Sequence, residues 1–230
     1  MKLYDYWRSS SAWRVRIALQ LKGVVYERQA VNLIAPGPTG GEQHAAAYTA
    51  LNPLAQVPLL ELEASEAGGS PIRRIAQSMA ILEFLDERFP EPPLLPADPL
   101  LRARARQLAE MVNAGIQPLQ NLSTTEHVKH ELAGDAGAWC RHFVSRGLAA
   151  LEGVAASTAG AFLIGDTVTL PDLYLVPQLY AARRFGIDPT AYATLARVEI
   201  ACAALPAFVA AHPEQQPEHR PQDAHRPILR

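Results

Sequence analysis

The 230-residue chain holds only two cysteines, Cys140 and Cys202, far apart and both in alanine-rich surroundings. Without a Cys-x-x-Cys pair it has neither a dithiol redox motif nor a cysteine-based zinc site, and a disulfide framework has no support. Two small buried thiols are expected instead. Long apolar runs are missing too. None approaches the roughly 18 residues that span a bilayer, and Met1-Lys2-Leu3-Tyr4-Asp5 lacks a signal-peptide core. A cytoplasmic protein with no membrane partner is expected. Charge of one sign is also lacking: 21 Lys and Arg stand against 23 Asp and Glu, nine against eleven in the first 99 residues and twelve against twelve beyond. Neither half is basic, which argues against a nucleic-acid partner. No glycine-rich phosphate loop, Ser-His-Asp order or zinc spacing occurs. What remains is a chain 49% hydrophobic, long enough for one large domain or two small ones.

Proline marks the boundary. Five prolines fall within residues 90–99, denying backbone donors and disfavouring helix before each ring, so this stretch reads as an interdomain linker. Before it, residues 1–89 change pattern repeatedly: a short apolar run at 3–6, a helical stretch at 10–21 and alternation at 25–31, which together form a βαβ unit. A Pro- and Gly-containing loop and a short helix at 42–50 follow. Extended segments at 57–62 and 72–75 flank Gly68-Gly69 and pair antiparallel, and a helix at 77–89 closes the domain. Residues 100–212 are helical almost throughout, with helices expected at 136–156, 170–185 and 190–211, and Pro118 kinking or ending the one before them. Thr169 and Asp172 form a capping box for the helix at 170, with Val168 and Leu173 as its staple. Residues 213–230, with Pro213, Pro217, Pro221 and Pro227, read as an extended, poorly ordered tail.

Three polar constellations could carry chemistry. Ser9, Ser10 and Ser11 sit where the first strand hands over to the first helix, whose unpaired amides and partial positive charge favour an anion. A thiolate held there would have its pKa lowered; the same hydroxyls serve equally well as plain caps. In Asn52-Pro53-Leu54-Ala55-Gln56-Val57-Pro58, a cis bond at Pro58 would turn the Val57 backbone outward to pair with an extended peptide. Gln77-Ser78 opens a further helix and suits a carboxylate. Each alone has a turn or cap as its explanation; together they suggest a site for a short anionic peptide. His127 and His130, between Glu126 and Glu131, are three apart on a helix but read as a solvated charged face rather than a metal site.

These residues resemble a known family. Ser9-Ser10, Trp13-Arg14-Val15-Arg16-Ile17-Ala18-Leu19, Gly40-Gly41-Glu42-Gln43, Asn52-Pro53, Gln56-Val57-Pro58 and Gln77-Ser78 look like the glutathione transferase superfamily, specifically the zeta class of maleylacetoacetate isomerases. The likeness continues through Gly115-Ile116-Gln117-Pro118-Leu119-Gln120-Asn121-Leu122, Gly165-Asp166, Asp172-Leu173, Leu175-Val176-Pro177-Gln178 and Arg184-Phe185, to about residue 217. It implies a thioredoxin-like α/β domain (βαβ-α-ββα) followed by an all-α domain, in the glutathione transferase architecture, and a homodimer. It implies glutathione as cofactor, with Ser10 first, then Ser9 and Ser11, at the thiolate; Val57 before Pro58 on the cysteinyl backbone; Gln77 and Ser78 on the γ-glutamyl end; Gln43 and Gln56 along the glycyl side; and Gln117 from the second domain. Arg184 occupies the family's substrate-arginine position. Arg8, at the strand end, is a second guanidinium suited to a carboxylate, whereas Arg14 and Arg16 are expected to be structural.

The implied activity is glutathione-dependent cis–trans isomerisation of maleylacetoacetate to fumarylacetoacetate, in the breakdown of tyrosine and other aromatic amino acids. Alternatives are maleylpyruvate isomerisation, a general zeta-class transferase or dehalogenase, and a non-catalytic interaction protein on the same fold. This chain departs from the family pattern at Ser11, where the family usually has Cys. It also has insertions around 36–40 and 63–74, expected to lengthen surface loops.

Overall fold

The computed structural model describes residues 1–36 and 40–219, which divide into two units: 1–92 together with 209–219, and 93–208. Residues 37–39, inside the first insertion, and 220–230, with His225 and most of the expected tail, lie outside the described residues.

The first unit runs β1 (Lys2–Asp5), α1 (Ser10–Leu21), β2 (Glu27–Ala30), a 3-10 turn at Glu42–His44, α2 (Ala46–Thr49), β3 (Leu59–Glu61), β4 (Arg74–Ala76) and α3 (Ser78–Arg88). The strands form one sheet in the order β2-β1-β3-β4, with β1 parallel to β2 and antiparallel to β3, and β4 antiparallel to β3. Period-two alternation sorts β1. Leu3 and Asp5 are fully buried, while Tyr4 and Tyr6 pack with Trp7, Val31, Tyr48 and Val57. Helices α1 and α3 pack on each other, contributing Val15, Ile17, Ala18, Leu19, Ile81, Leu82 and Leu85 to the core. This is the expected thioredoxin-like βαβ-α-ββα order.

Arg14 and Arg16 lie on the buried length of α1, and Arg16 spends its whole guanidinium inside the protein. It donates to both oxygens of Asp5 (2.7 and 2.9 Å), to the Trp7 carbonyl (2.9 Å) and, through Nε, to the Ala211 carbonyl (3.1 Å). Burial lowers its pKa, and Asp5 opposes that shift. A buried guanidinium is tolerated only when its donors are matched in this way.

The second unit is helical: α4 (Pro99–Asn113), a 3-10 turn at Gln117–Gln120, α5 (Leu122–His130), α6 (Ala136–Ala155), α7 (Leu170–Arg184) and α8 (Ala193–Ala203). Helix α7 packs against α4, α6 and α8 and is buried continuously from Leu170 to Leu179. The proline-rich stretch is anchored rather than free. Leu94 and Leu95 are buried, and the Leu94 carbonyl accepts from the first amide of α7 at 2.7 Å.

Two expectations need correction. The single helix expected at 190–211 is a 3-10 turn at Pro189–Ala191, then α8, then α9 (Pro206–Ala211). Pro206 accounts for the break: it has no N–H to continue the ladder and excludes helical geometry at Leu205. The tail is not extended from residue 213. Pro213–Gln215 form a 3-10 turn, Glu218 pairs with Arg28, and the His219 ring packs edge-on against Trp7.

Candidate active site

The strand register gathers the predicted residues of the first unit at one end of the sheet. Tyr4, near the end of β1, pairs with Leu59 at the start of β3, and Leu59 pairs with Ala76 at the end of β4. Residues 9–11 follow β1, Val57-Pro58 immediately precedes Leu59, and Gln77-Ser78 immediately follows Ala76. Asp5 pairs with Ala30, so the loop carrying Gln43 leaves from the same end.

The serine turn is built by the chain itself. Ser9 donates its amide to the Tyr6 carbonyl (2.9 Å) and caps α1 in an extended conformation, its hydroxyl oxygen accepting from the Ala12 amide at 3.3 Å. That commits Ser9 to the cap. Ser10 and Ser11 become the first two helical residues, half-buried, and no acidic side chain occupies the first turn. A helix start without its own carboxylate favours an outside anion. Arg8, also half-buried, lies over the Trp7 ring with its guanidinium carbon 5.3 Å from the centroid.

Residues 48–58 present the Val57 backbone. The Gln56 carbonyl is held by two donors, the Tyr48 hydroxyl at 2.6 Å and the Asn52 amide at 2.8 Å. Burial pushes Tyr48 up to about 12, so it remains a donor at working pH. Ala55 takes a left-handed φ of 53°, and the Val57–Pro58 peptide is cis. Among the described residues the Val57 N–H and C=O have no hydrogen-bond partner. Gln56 itself is exposed. Gln43 is buried, donating to the Leu33 carbonyl (3.4 Å), while its Oε1 finds no partner among the described residues. Gly41 is required beside it. At φ 78°, a Cβ there would come within 2.2 Å of that oxygen.

At the third segment, Gln77 has φ 72° and ψ 120°, a conformation that costs a non-glycine residue about 1–3 kcal/mol and persists where surrounding structure enforces it. Its side chain is exposed and makes no cap bond. Ser78 is buried, and its hydroxyl accepts from Arg14 Nη1 at 3.1 Å, tying the middle of α1 to the start of α3.

The remaining predicted residues lie in the second unit. Gln117 opens its 3-10 turn half-buried and donates to Asn121 Oδ1 at 3.1 Å. Arg184 is the last residue of α7, also half-buried. That turn is fixed to α7 by Gln120 and Gln178, whose side-chain amides exchange two buried hydrogen bonds of 3.1 Å, each Nε2 donating to the other's Oε1. His130 pairs with Glu126, both largely exposed, and among the described residues no group of three or more potential metal ligands comes together. Cys140 and Cys202 are buried, free thiols, Cys140 pushed up to about 11 by desolvation. No described helix is long and apolar enough to cross a membrane.

Residues 8–88 match the family model for the glutathione S-transferase N-terminal domain. Maleylacetoacetate isomerase of Pseudomonas aeruginosa is 45% identical over 221 residues, covering 95% of this chain and 98% of the relative. The chain belongs to the maleylacetoacetate isomerase family of zeta-class glutathione transferases. Maleylpyruvate isomerase from Ralstonia is 42% identical over 224 residues, covering 95% and 99%. Crystal structures of maleylacetoacetate isomerase from Anaeromyxobacter dehalogenans, one with glutathione and one with dicarboxyethyl glutathione and citrate in the active site, are each 53% identical with a TM-score of 0.84. They cover 95% and 96% of this chain, and 97% of theirs.

Measured against the zeta-class cofactor, the first unit has the groups a γ-glutamyl tripeptide needs. The Val57 N–H and C=O suit an extended backbone, two helix starts suit a thiolate and a carboxylate, and the orphaned Gln43 oxygen can accept from an amide. The supports for this site are less visible in the sequence. Arg14 as donor to Ser78, and Tyr48 with Asn52 as a clamp on Gln56, come from residues far apart or on the opposite side of a turn. The Asn52-Pro53 pair was the one available signal.

Proposed function

We propose that this protein is a glutathione-dependent cis–trans isomerase acting on a maleyl keto acid, with maleylacetoacetate as substrate and fumarylacetoacetate as product. The carrying observation is the Tyr4–Leu59–Ala76 register, which brings residues 9–11, Val57-Pro58 and Gln77-Ser78 to one end of the sheet. Bound glutathione supplies a thiolate that adds to the conjugated double bond, leaving a rotatable single bond, and departs unconsumed as the trans double bond re-forms.

The chain's own residues have three tasks. Ser10, with the amides of the α1 start, keeps the sulfur ionised; Ser9 holds that helix start in place, and Ser11 completes its first turn. Val57 pairs with the cysteinyl backbone, Gln77 and Ser78 receive the γ-glutamyl end, Gln43 and Gln56 face the glycyl side, and Gln117 is assigned a further polar contact to the tripeptide. Arg8 and Arg184 take the substrate carboxylates and stabilise the charge that develops on its conjugated carbonyl. Ser11 in place of Cys does not interrupt this scheme, because the nucleophilic sulfur belongs to glutathione. We further place the enzyme in cytoplasmic breakdown of aromatic amino acids, as a homodimer.

The test is direct. Purified protein receives maleylacetoacetate or maleylpyruvate with catalytic glutathione, the enone absorbance is followed, and glutathione is assayed at the end. Loss of the cis substrate with glutathione fully recovered is the expected result. Turnover of maleylpyruvate alone would select the second reading, which the Ralstonia relative favours; a stable thioether or released halide would indicate a transferase or dehalogenase; inactivity on both acids rejects the isomerase. Sedimentation checks the dimer.

A further inference from the structure

We propose that the C-terminal segment 211–219 is a positioning element for the serine turn, and that Glu218 and His219 set the isomerisation rate without touching either reactant. This rests on assigning residues 9–11 to the thiolate site. Four links run from the segment, each to a residue that forms or holds that turn. The Ala211 carbonyl accepts from Arg16 Nε at 3.1 Å, and the same guanidinium donates to the Trp7 carbonyl at 2.9 Å. The His212 ring meets Trp13 edge-on, with centroids 5.1 Å apart. Glu218 accepts from Arg28 Nη1 at 2.6 Å, while Arg28 Nε donates to Asp5, the carboxylate that also carries Arg16. The His219 ring meets Trp7 edge-on at 5.2 Å.

Charge explains why the strap is needed. Among the described residues, Asp5 without Glu218 would face two guanidiniums, a cluster with one uncompensated positive charge in which Asp5 and Arg16 are buried. Glu218, its side chain 37% exposed, pairs with Arg28 at the rim of the cluster and brings it to neutrality. Trp7 stands two residues before the cap Ser9 and next to Arg8, so its backbone is pinned by Arg16 and its ring by His219. Rates in such sites are sensitive to sub-ångström placement of the activating group. A segment whose composition reads as an inert tail thus closes the network that fixes the helix start.

The experiment uses the full chain with Glu218→Gln, His219→Ala and, as the conservative partner, His219→Phe, which keeps an edge-on ring against Trp7. Isomerase kinetics are measured beside hydrogen exchange of the peptide spanning 6–13. For His219→Ala we expect kcat to fall about fivefold, KM for the maleyl acid to stay within about twofold, and exchange over 6–13 to accelerate; His219→Phe should restore both. Glu218→Gln should move the same two readouts in the same direction. Unchanged kcat in both Glu218→Gln and His219→Ala, a loss that Phe does not restore, or unchanged exchange over 6–13 overturns the proposal. If the wild type turns over neither maleyl acid while His219→Ala still accelerates exchange, the isomerase reading falls and the coupling between strap and turn stands.

Discussion

Helix α1 starts on Ser9 and helix α7 on Thr169, both capped by a hydroxyl residue in an extended conformation, yet only one of these first turns carries a carboxylate of its own. At α7 the Asp172 carboxylate is fully buried and accepts from the Thr169 amide (2.8 Å), the Thr169 hydroxyl (3.0 Å) and the Leu163 amide (2.9 Å). At α1 the corresponding turn holds no acid, and Ser10 and Ser11 remain half-buried. The macrodipole is the same in both. A carboxylate from within makes α7 an anchor for its unit; the first turn of α1, which lacks one, is where we propose that an anion from outside is held.

The comparison breaks most visibly at Ser10. Ser10→Ala should lower kcat/KM for isomerisation by about 10²–10³-fold, the loss typical of one donor aimed at a reacting anion, while Tm moves by no more than a few degrees. A loss below tenfold would mean that the helix amides suffice without the Ser10 hydroxyl. Asp172→Ala should do the reverse, lowering stability by about 2–3 kcal/mol in urea unfolding while kcat of the folded fraction stays near wild type. Asp172 also has a pH signature. Burial pushes its carboxyl up to about 6, with the three donors pulling it down. A carboxyl raised in the native state contributes stability that is complete below its unfolded pKa, near 4, and is lost as pH rises through its native pKa. Wild-type stability relative to Asp172→Asn should therefore fall by up to ~3 kcal/mol between about pH 4 and pH 7. A flat difference would show that the donors have cancelled the burial.

Much of this contrast was legible in the residues. Helix α1 begins and ends where the sequence places it, because a triple serine precedes the mostly apolar stretch at 12–19, interrupted by Arg14 and Arg16, and Gly23 follows Lys22. Thr169, Asp172 and Pro171 announce α7 as clearly. What was not legible depends on tertiary partners. The turn at 204–205 looked like continuous helix because alanine dominates both sides of Pro206. Residues 213–219 looked disordered because their order comes from Arg28 and Trp7, about 190 and 210 positions earlier in the chain. Gln77 gave no local sign of its positive φ, since nothing about a glutamine predicts a backbone that its surroundings impose.

A smaller effect is expected from the clamp beside the open helix start. Asn52→Ala removes one of the two donors on the Gln56 carbonyl and leaves the Tyr48 hydroxyl in place. Val57 then presents its N–H and C=O less rigidly, so KM for glutathione should rise about tenfold with kcat reduced less than threefold. A change in kcat alone would place Asn52 nearer the chemistry than the geometry does.

The smallest effect should come from the residue that departs most from the family pattern. Ser11 is the second residue of α1, half-buried, in a turn where Ser9 accepts the Ala12 amide. If the reacting sulfur comes from glutathione, Ser11→Cys should change kcat and KM less than twofold. A thiol at that helix start would nevertheless have its own pKa lowered by the same field that favours the bound thiolate. Iodoacetamide should therefore modify Cys at position 11 faster than either native cysteine, both of which are buried, and glutathione should protect it. Rapid, glutathione-sensitive alkylation with unaltered turnover would show that the helix start ionises whichever sulfur is offered; slow alkylation would mean that the field of α1 does too little to support the proposed chemistry.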